Sequence, residues 1–180
     1  MRVIVQLWIV AVVFFTLAAG AREAASQALA IDQGPDWTTA ARNDFYTRDQ
    51  GSRIMPLSWM QALQQPNGTP FLEANLGRYG YLPNPADVRG MPVGFTVASQ
   101  DGVDTIGMTC AACHTREIDV QGAALRIDGG PAIVDFQGFL ADLDTAVGTV
   151  LATDAAFTGF ATRVFTIRLR RTSRRHCAKP

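Results

Sequence analysis

Beyond residue 33 the hydrophobic positions fall into short amphipathic pieces separated by Gly and Pro. Gly34-Pro35-Asp36 precede a stretch with Trp37, Ala41 and Phe45 at i, i+4 and i+8, one side of a helix that Gln50-Gly51-Ser52 end. Pro56 suits the first turn of a second, short helix, with Leu57, Met60 and Leu63 facing one way until Pro66. Thr69-Pro70 is another cap-plus-first-turn signal, closed by Gly77. Residues 80–92 are rich in Gly and Pro and read as an irregular loop, followed by a brief strand over residues 93–97.

Further on the period changes from helical to alternating. Ile118 and Val120, then Leu125 and Ile127 beyond Gln121-Gly122, alternate with polar residues and predict a small β-hairpin. Asp128-Gly129-Gly130-Pro131 then opens the strongest helical pattern, with Phe136, Phe139, Leu140, Leu143, Val147, Val150 and Leu151 in its apolar stripe. Asp154 caps a following helix that carries Phe157 and Phe160. These elements predict a mainly α fold with long loops and one small hairpin.

Composition adds little until it is divided along the chain. The 180 residues are 48% hydrophobic with a formal net charge of zero, ordinary for a chain with one core. Residues 1–162 nevertheless hold all sixteen acids against nine arginines, a net of −7, whereas residues 163–180 carry six arginines and Lys179 with no acid, a net of +7. Sign, composition and periodicity change together there. The expectation is an aberrant basic tail over residues 164–180, truncated or out of frame, and the alternative is a surface for an anionic partner.

The N-terminus predicts export. Arg2 is followed by an apolar run over residues 3–19, broken only by Gln6 and Thr16, and Ala19-Gly20-Ala21 fits a small-x-small cleavage site. A signal peptide over residues 1–21 is expected, with an uncleaved anchor as the alternative. Either delivers the domain to the periplasm or outside the cell, with membrane contact only where the segment stays uncleaved.

Three cysteines do not make a disulfide framework, and the spacing of two of them gives another use. Cys110-Ala111-Ala112-Cys113-His114 is the C-x-x-C-H pattern of covalent haem attachment: two thiols a turn apart for the two vinyl groups, and an imidazole directly behind them for the iron. The expected cofactor is haem c, with Cys110 and Cys113 as thioether positions and His114 as the proximal iron ligand. A thioredoxin-like pair would need a βαβ frame around it, and a zinc site would need two more ligands where only His176 and Cys177 remain. No nucleophile triad, phosphate loop or nucleic-acid signature stands out.

The opposite face of the iron is open to several readings. No methionine follows position 108. Met91 in the Pro/Gly loop is the best methionine candidate, Met60 reads as helix core, His176 lies in the basic tail, and the position is otherwise open or filled from elsewhere. Arg126 could face a haem propionate, with a hairpin salt bridge as its simpler role.

Several further segments carry a resemblance. Phe45-Tyr46, Gln50-Gly51-Ser52, Met55-Pro56-Leu57-Ser58-Trp59, Met91-Pro92-Val93-Gly94-Phe95-Thr96-Val97 and Leu125-Arg126-Ile127-Asp128-Gly129-Gly130-Pro131 resemble exported di-haem c-type cytochromes related to di-haem cytochrome c peroxidases and haem-dependent rubber oxygenases. The likeness implies a c-type cytochrome-like haem domain over residues 34–163, mainly helical, followed in the family by a second haem domain with its own C-x-x-C-H. That second motif is not in this sequence. The expected function is therefore electron transfer by one covalent haem, to a redox partner protein or a second haem domain and without nucleic acid. The alternative is the first half of a di-haem peroxidase or oxygenase-like enzyme.

Overall fold

A computed structural model describes residues 28–87 and 89–177, with side chains described through Arg171. The export signal expected over residues 1–21 lies outside the described residues, as do the side chains of His176 and Cys177.

Two small sheets frame the chain, and this corrects the expected mainly α, cytochrome-like architecture. The first has the order β1-β6-β5, with β1 (Leu29–Ala30) parallel to β6 (Ala123–Asp128) and β5 (Thr115–Val120) antiparallel to it. The second has the order β2-β4-β3, all antiparallel, from β2 (Met55–Pro56), β3 (Phe95–Gln100) and β4 (Val103–Met108). Each hairpin turns on two residues of positive φ, Asp101-Gly102 at 51° and 76° and Gln121-Gly122 at 54° and 85°. Such turns match the twist of the flanking strands and favour Gly at the second position. The hairpin at Gln121-Gly122 is legible from its alternation. The one at Asp101-Gly102 is not, because Ser99, Gln100 and Asp104 interrupt the hydrophobic pattern and leave only the turn pair as a signal.

The helices are α1 (Thr39–Thr47), α2 (Leu57–Ala62), α3 (Phe136–Leu151) and α4 (Asp154–Cys177). Thr38 caps α1 through Oγ1, which accepts from Ala41 N at 3.2 Å. The strong helix begins at Phe136 under an Asp135 cap, not at Asp128, since residues 129–135 are used to cross behind another segment. The element expected after Thr69-Pro70 is a 3₁₀ turn over Glu73–Tyr79. Ala74, Asn75 and Leu76 interrupt it at φ 49°, 52° and 61°, a left-handed run held by the fully buried Leu76.

Phe139 on α3 is the centre of the core. Its ring lies 5.6–6.1 Å from those of Tyr79, Tyr81, Phe95 and Phe71, mostly edge to face. Only part of the apolar stripe on α3 faces inward: Leu143 is buried, while Phe136, Leu140 and Leu151 are exposed. α4 runs straight through the place where the basic tail is expected to begin. Val164 is buried, Ile167 packs on the core, Arg163 Nε donates to Ala62 O at 3.0 Å, and Arg171 pairs with Asp104 at 2.9 Å. Between α2, α3 and α4 lies an apolar groove of about 520 Å³ that includes Trp59, Phe157 and Phe160. No helix among the described residues is long and apolar enough to cross a membrane.

Candidate functional site

The segment Cys110-Ala111-Ala112-Cys113-His114 joins the two sheets, leaving β4 at Met108 and entering β5 at Thr115. It folds as a 3₁₀ turn over Cys110–Ala112. Thr109 caps it, its Oγ1 accepting from Ala111 N at 3.2 Å, and the N–H groups of Cys113 and His114 both return to Cys110 O at 3.1 and 2.9 Å. One tight turn therefore sorts its five side chains. Ala111 and Ala112 are buried, whereas Cys110, Cys113 and His114 are exposed, and both thiols are free.

Close backbone approach makes this sorting possible. Gly94, at φ +77°, lies under the turn, and a Cβ there would overlap Ala112 N and Cα and the carbonyl carbon of Ala111. Gly94 O accepts from Thr109 N at 2.7 Å. Ala111 packs with Tyr46 and Val93, and Ala112 joins the main core. Larger residues at either position would push the turn off its support.

A second strap ties down the far side. Gly129 N donates to His114 O at 2.7 Å and Ala132 N to Cys113 O at 2.9 Å. The strap is anchored by Asp128, whose carboxylate is fully buried. Trp37 Nε1 and Arg42 Nε donate to its Oδ2 at 2.9 and 2.6 Å, and Tyr46 OH donates to Oδ1. The main chain of Asp128 is also bracketed by the Gln33 amide, at 2.8 and 3.2 Å. Burial first, then the hydrogen bond to Asp128, pushes the Tyr46 hydroxyl well above its ordinary pKa.

The donor set suits a haem held through thioether bonds: two outward thiols and an outward imidazole on one rigid turn, with small side chains behind. No group of three or more His, Cys, Asp or Glu comes together to hold a bare metal ion among the described residues. Buried polar atoms beside the motif that lack a partner among the described residues include Thr115 Oγ1, directly after His114, and Tyr81 OH. Burial, then the nearby Cys113 and Asp135, raises the pKa of Tyr81.

The other sequence candidates separate. Met60 is fully buried and Met91 is 3% exposed, both within the main core, while Cys110, Cys113 and His114 face outward. Arg126 makes the cross-strand pair with Glu117 at 3.0 Å and reaches Pro83 O at 3.2 Å. Asp128 and Gly94 were not legible as site residues. Asp128 reads as a helix start, and nothing local to it announces partners 82 to 91 residues away.

No protein family and no solved structure matches the chain. In an alignment 128 positions long that covers 58% of its length, it is 35% identical to the uncharacterized protein y4iJ of Sinorhizobium fredii (strain NBRC 101917 / NGR234), and it spans 21% of that protein.

Proposed function

We propose that this chain is a c-type cytochrome domain that carries one haem, covalently bound through Cys110 and Cys113, and transfers electrons to a redox partner protein or a second haem domain. The observation that carries this reading is the single capped turn that turns two free thiols and the following imidazole outward while burying the two alanines between them. The bound haem would supply a one-electron couple on its iron. The chain's own contribution is to hold the thiols a turn apart, to present the His114 imidazole beside them, and to keep the turn from collapsing inward. The apolar run near the N-terminus supports a periplasmic or secreted location, where covalent attachment takes place.

The test is expression in a periplasm that contains the haem attachment machinery, followed by haem staining on a denaturing gel. Cys110→Ala with Cys113→Ala is expected to abolish the stain, and stain that persists in the double variant would end the c-type reading. The alternative is the first part of a peroxidase or oxygenase-like enzyme with an exchangeable sixth position. Two observations favour it: Met60 and Met91 lie in the core, and the chain spans about a fifth of its longer relative. Carbon monoxide separates the two. A ferrous spectrum that carbon monoxide leaves unchanged supports electron transfer alone, and one that it shifts supports the enzyme reading.

A further inference from the structure

Burying a carboxylate is costly unless donors surround it, and an apolar side chain would fill the same space more cheaply. Asp128 is buried with three donors gathered from one short stretch: the Trp37 indole, the Arg42 guanidinium and the Tyr46 hydroxyl. These residues lie at the entry and along the length of α1. The arrangement reaches the motif by two routes. Through the main chain, the residue after Asp128 holds the His114 carbonyl, and Ala132 holds that of Cys113. Through packing, the Tyr46 side chain, whose hydroxyl donates to Asp128, also packs with Ala111. The motif turn is thereby clamped between α1 and the 129–132 strap, with Asp128 as the joint of the clamp.

We infer that Asp128 is a positioning residue for His114: its carboxylate, locked by Trp37, Arg42 and Tyr46, fixes the strap that sets where the imidazole stands relative to the two thiols. The inference rests on the haem reading for its purpose but not for its geometry. An amide at this position is neutral, so Asp128→Asn takes away the charge that the Arg42 guanidinium pairs with and the carboxylate oxygen that the Tyr46 hydroxyl donates to, with almost no change in shape.

Two measurements on the full chain test it. In the protein without haem, amide hydrogen exchange is followed at Gly129 and Ala132, with core amides such as that of Leu143 as the reference. Asp128→Asn is expected to speed exchange at Gly129 and Ala132 by roughly ten-fold or more relative to the core amides. Trp37→Phe, which removes one donor and keeps a ring, is expected to move the same amides by less, and it serves as the test should the Asn variant fail to fold. Exchange at Gly129 and Ala132 that stays at the parent rate, or that rises only in step with the core, would overturn the inference. In the haem-loaded protein, Asp128→Asn is expected to keep the covalent stain but shift the electron paramagnetic resonance signals of the ferric iron. Leu143→Ala, which damages the core without touching the clamp, is expected to leave them in place. Parent-like signals in Asp128→Asn would also overturn it. Absence of covalent haem in the parent would sink the proposed function, and the exchange arm would still decide the role of Asp128.

Discussion

Two tyrosines on either side of the motif turn carry the same side chain with opposite hydrogen-bonding status. Tyr46 OH donates to the buried Asp128, while Tyr81 OH is buried without a partner among the described residues. Replacing each by Phe should therefore have opposite signs. Tyr46→Phe leaves a buried carboxylate short of one donor and is expected to cost about 1.5–3 kcal/mol. Tyr81→Phe removes an unsatisfied hydroxyl and is expected to leave the stability of the haem-free protein unchanged or to raise it by up to about 1–3 kcal/mol. Urea unfolding of the two variants checks both. The same residues predict an alkaline weakness. The hydroxyls of Tyr46, Tyr79 and Tyr81 are all held above the ordinary value of 10.0, Tyr79 at about 12, chiefly by burial. The folded state thus keeps protons that the unfolded chain gives up. Stability from this source is complete below pH 10 and is lost as pH rises toward about 12 and beyond. Unfolding midpoints measured from pH 9 to 12 should fall across that window, and a flat profile would count against the burial of these hydroxyls.

The decisive element is the three-residue turn over Cys110–Ala112 and the loop beneath it. The turn is short because its supports come from other elements: Gly94 below, Tyr46 and Val93 beside Ala111, and the 129–132 strap across the carbonyls of Cys113 and His114. Gly94→Ala meets two obstacles, a left-handed φ and the backbone of Ala111 and Ala112. The positive φ alone is expected to cost about 1–3 kcal/mol, and the overlap adds to it. The expected result is a lower unfolding midpoint together with weaker haem staining, whereas a parent-like variant would show that the turn does not rest on this loop. The motif itself was legible because C-x-x-C-H is local. The hairpin after it was legible too, but the β3–β4 hairpin before it was not, since these strands alternate imperfectly and their register depends on a partner strand.

For the whole molecule, the informative element is α4. Its acid-free, arginine-rich half reads in sequence as foreign to the rest, yet in the fold Val164 is buried, Ile167 packs on the core and Arg171 pairs with Asp104. Ending the chain at residue 163 should therefore destabilise it, by about 1.5–3 kcal/mol for the burial of Val164 alone. Calorimetry of the shortened and full chains checks this. Equal melting temperatures would mean that the second half of α4 contributes nothing to the fold.

What the sequence determined by itself was local chemistry: the spacing of two thiols and an imidazole, the hairpin at Gln121-Gly122, and the apolar stripe of α3. Each of these depends on residues within a few positions of one another. The tertiary structure decided which parts of those patterns face inward and what holds them there. Three of the seven residues of the α3 stripe are exposed, and Asp128, which reads as a helix start, is the joint between α1 and the strap behind His114. The reason is physical. A buried carboxylate is stable only with its donors assembled around it, and those donors lie more than eighty residues earlier in the chain, out of reach of any periodicity.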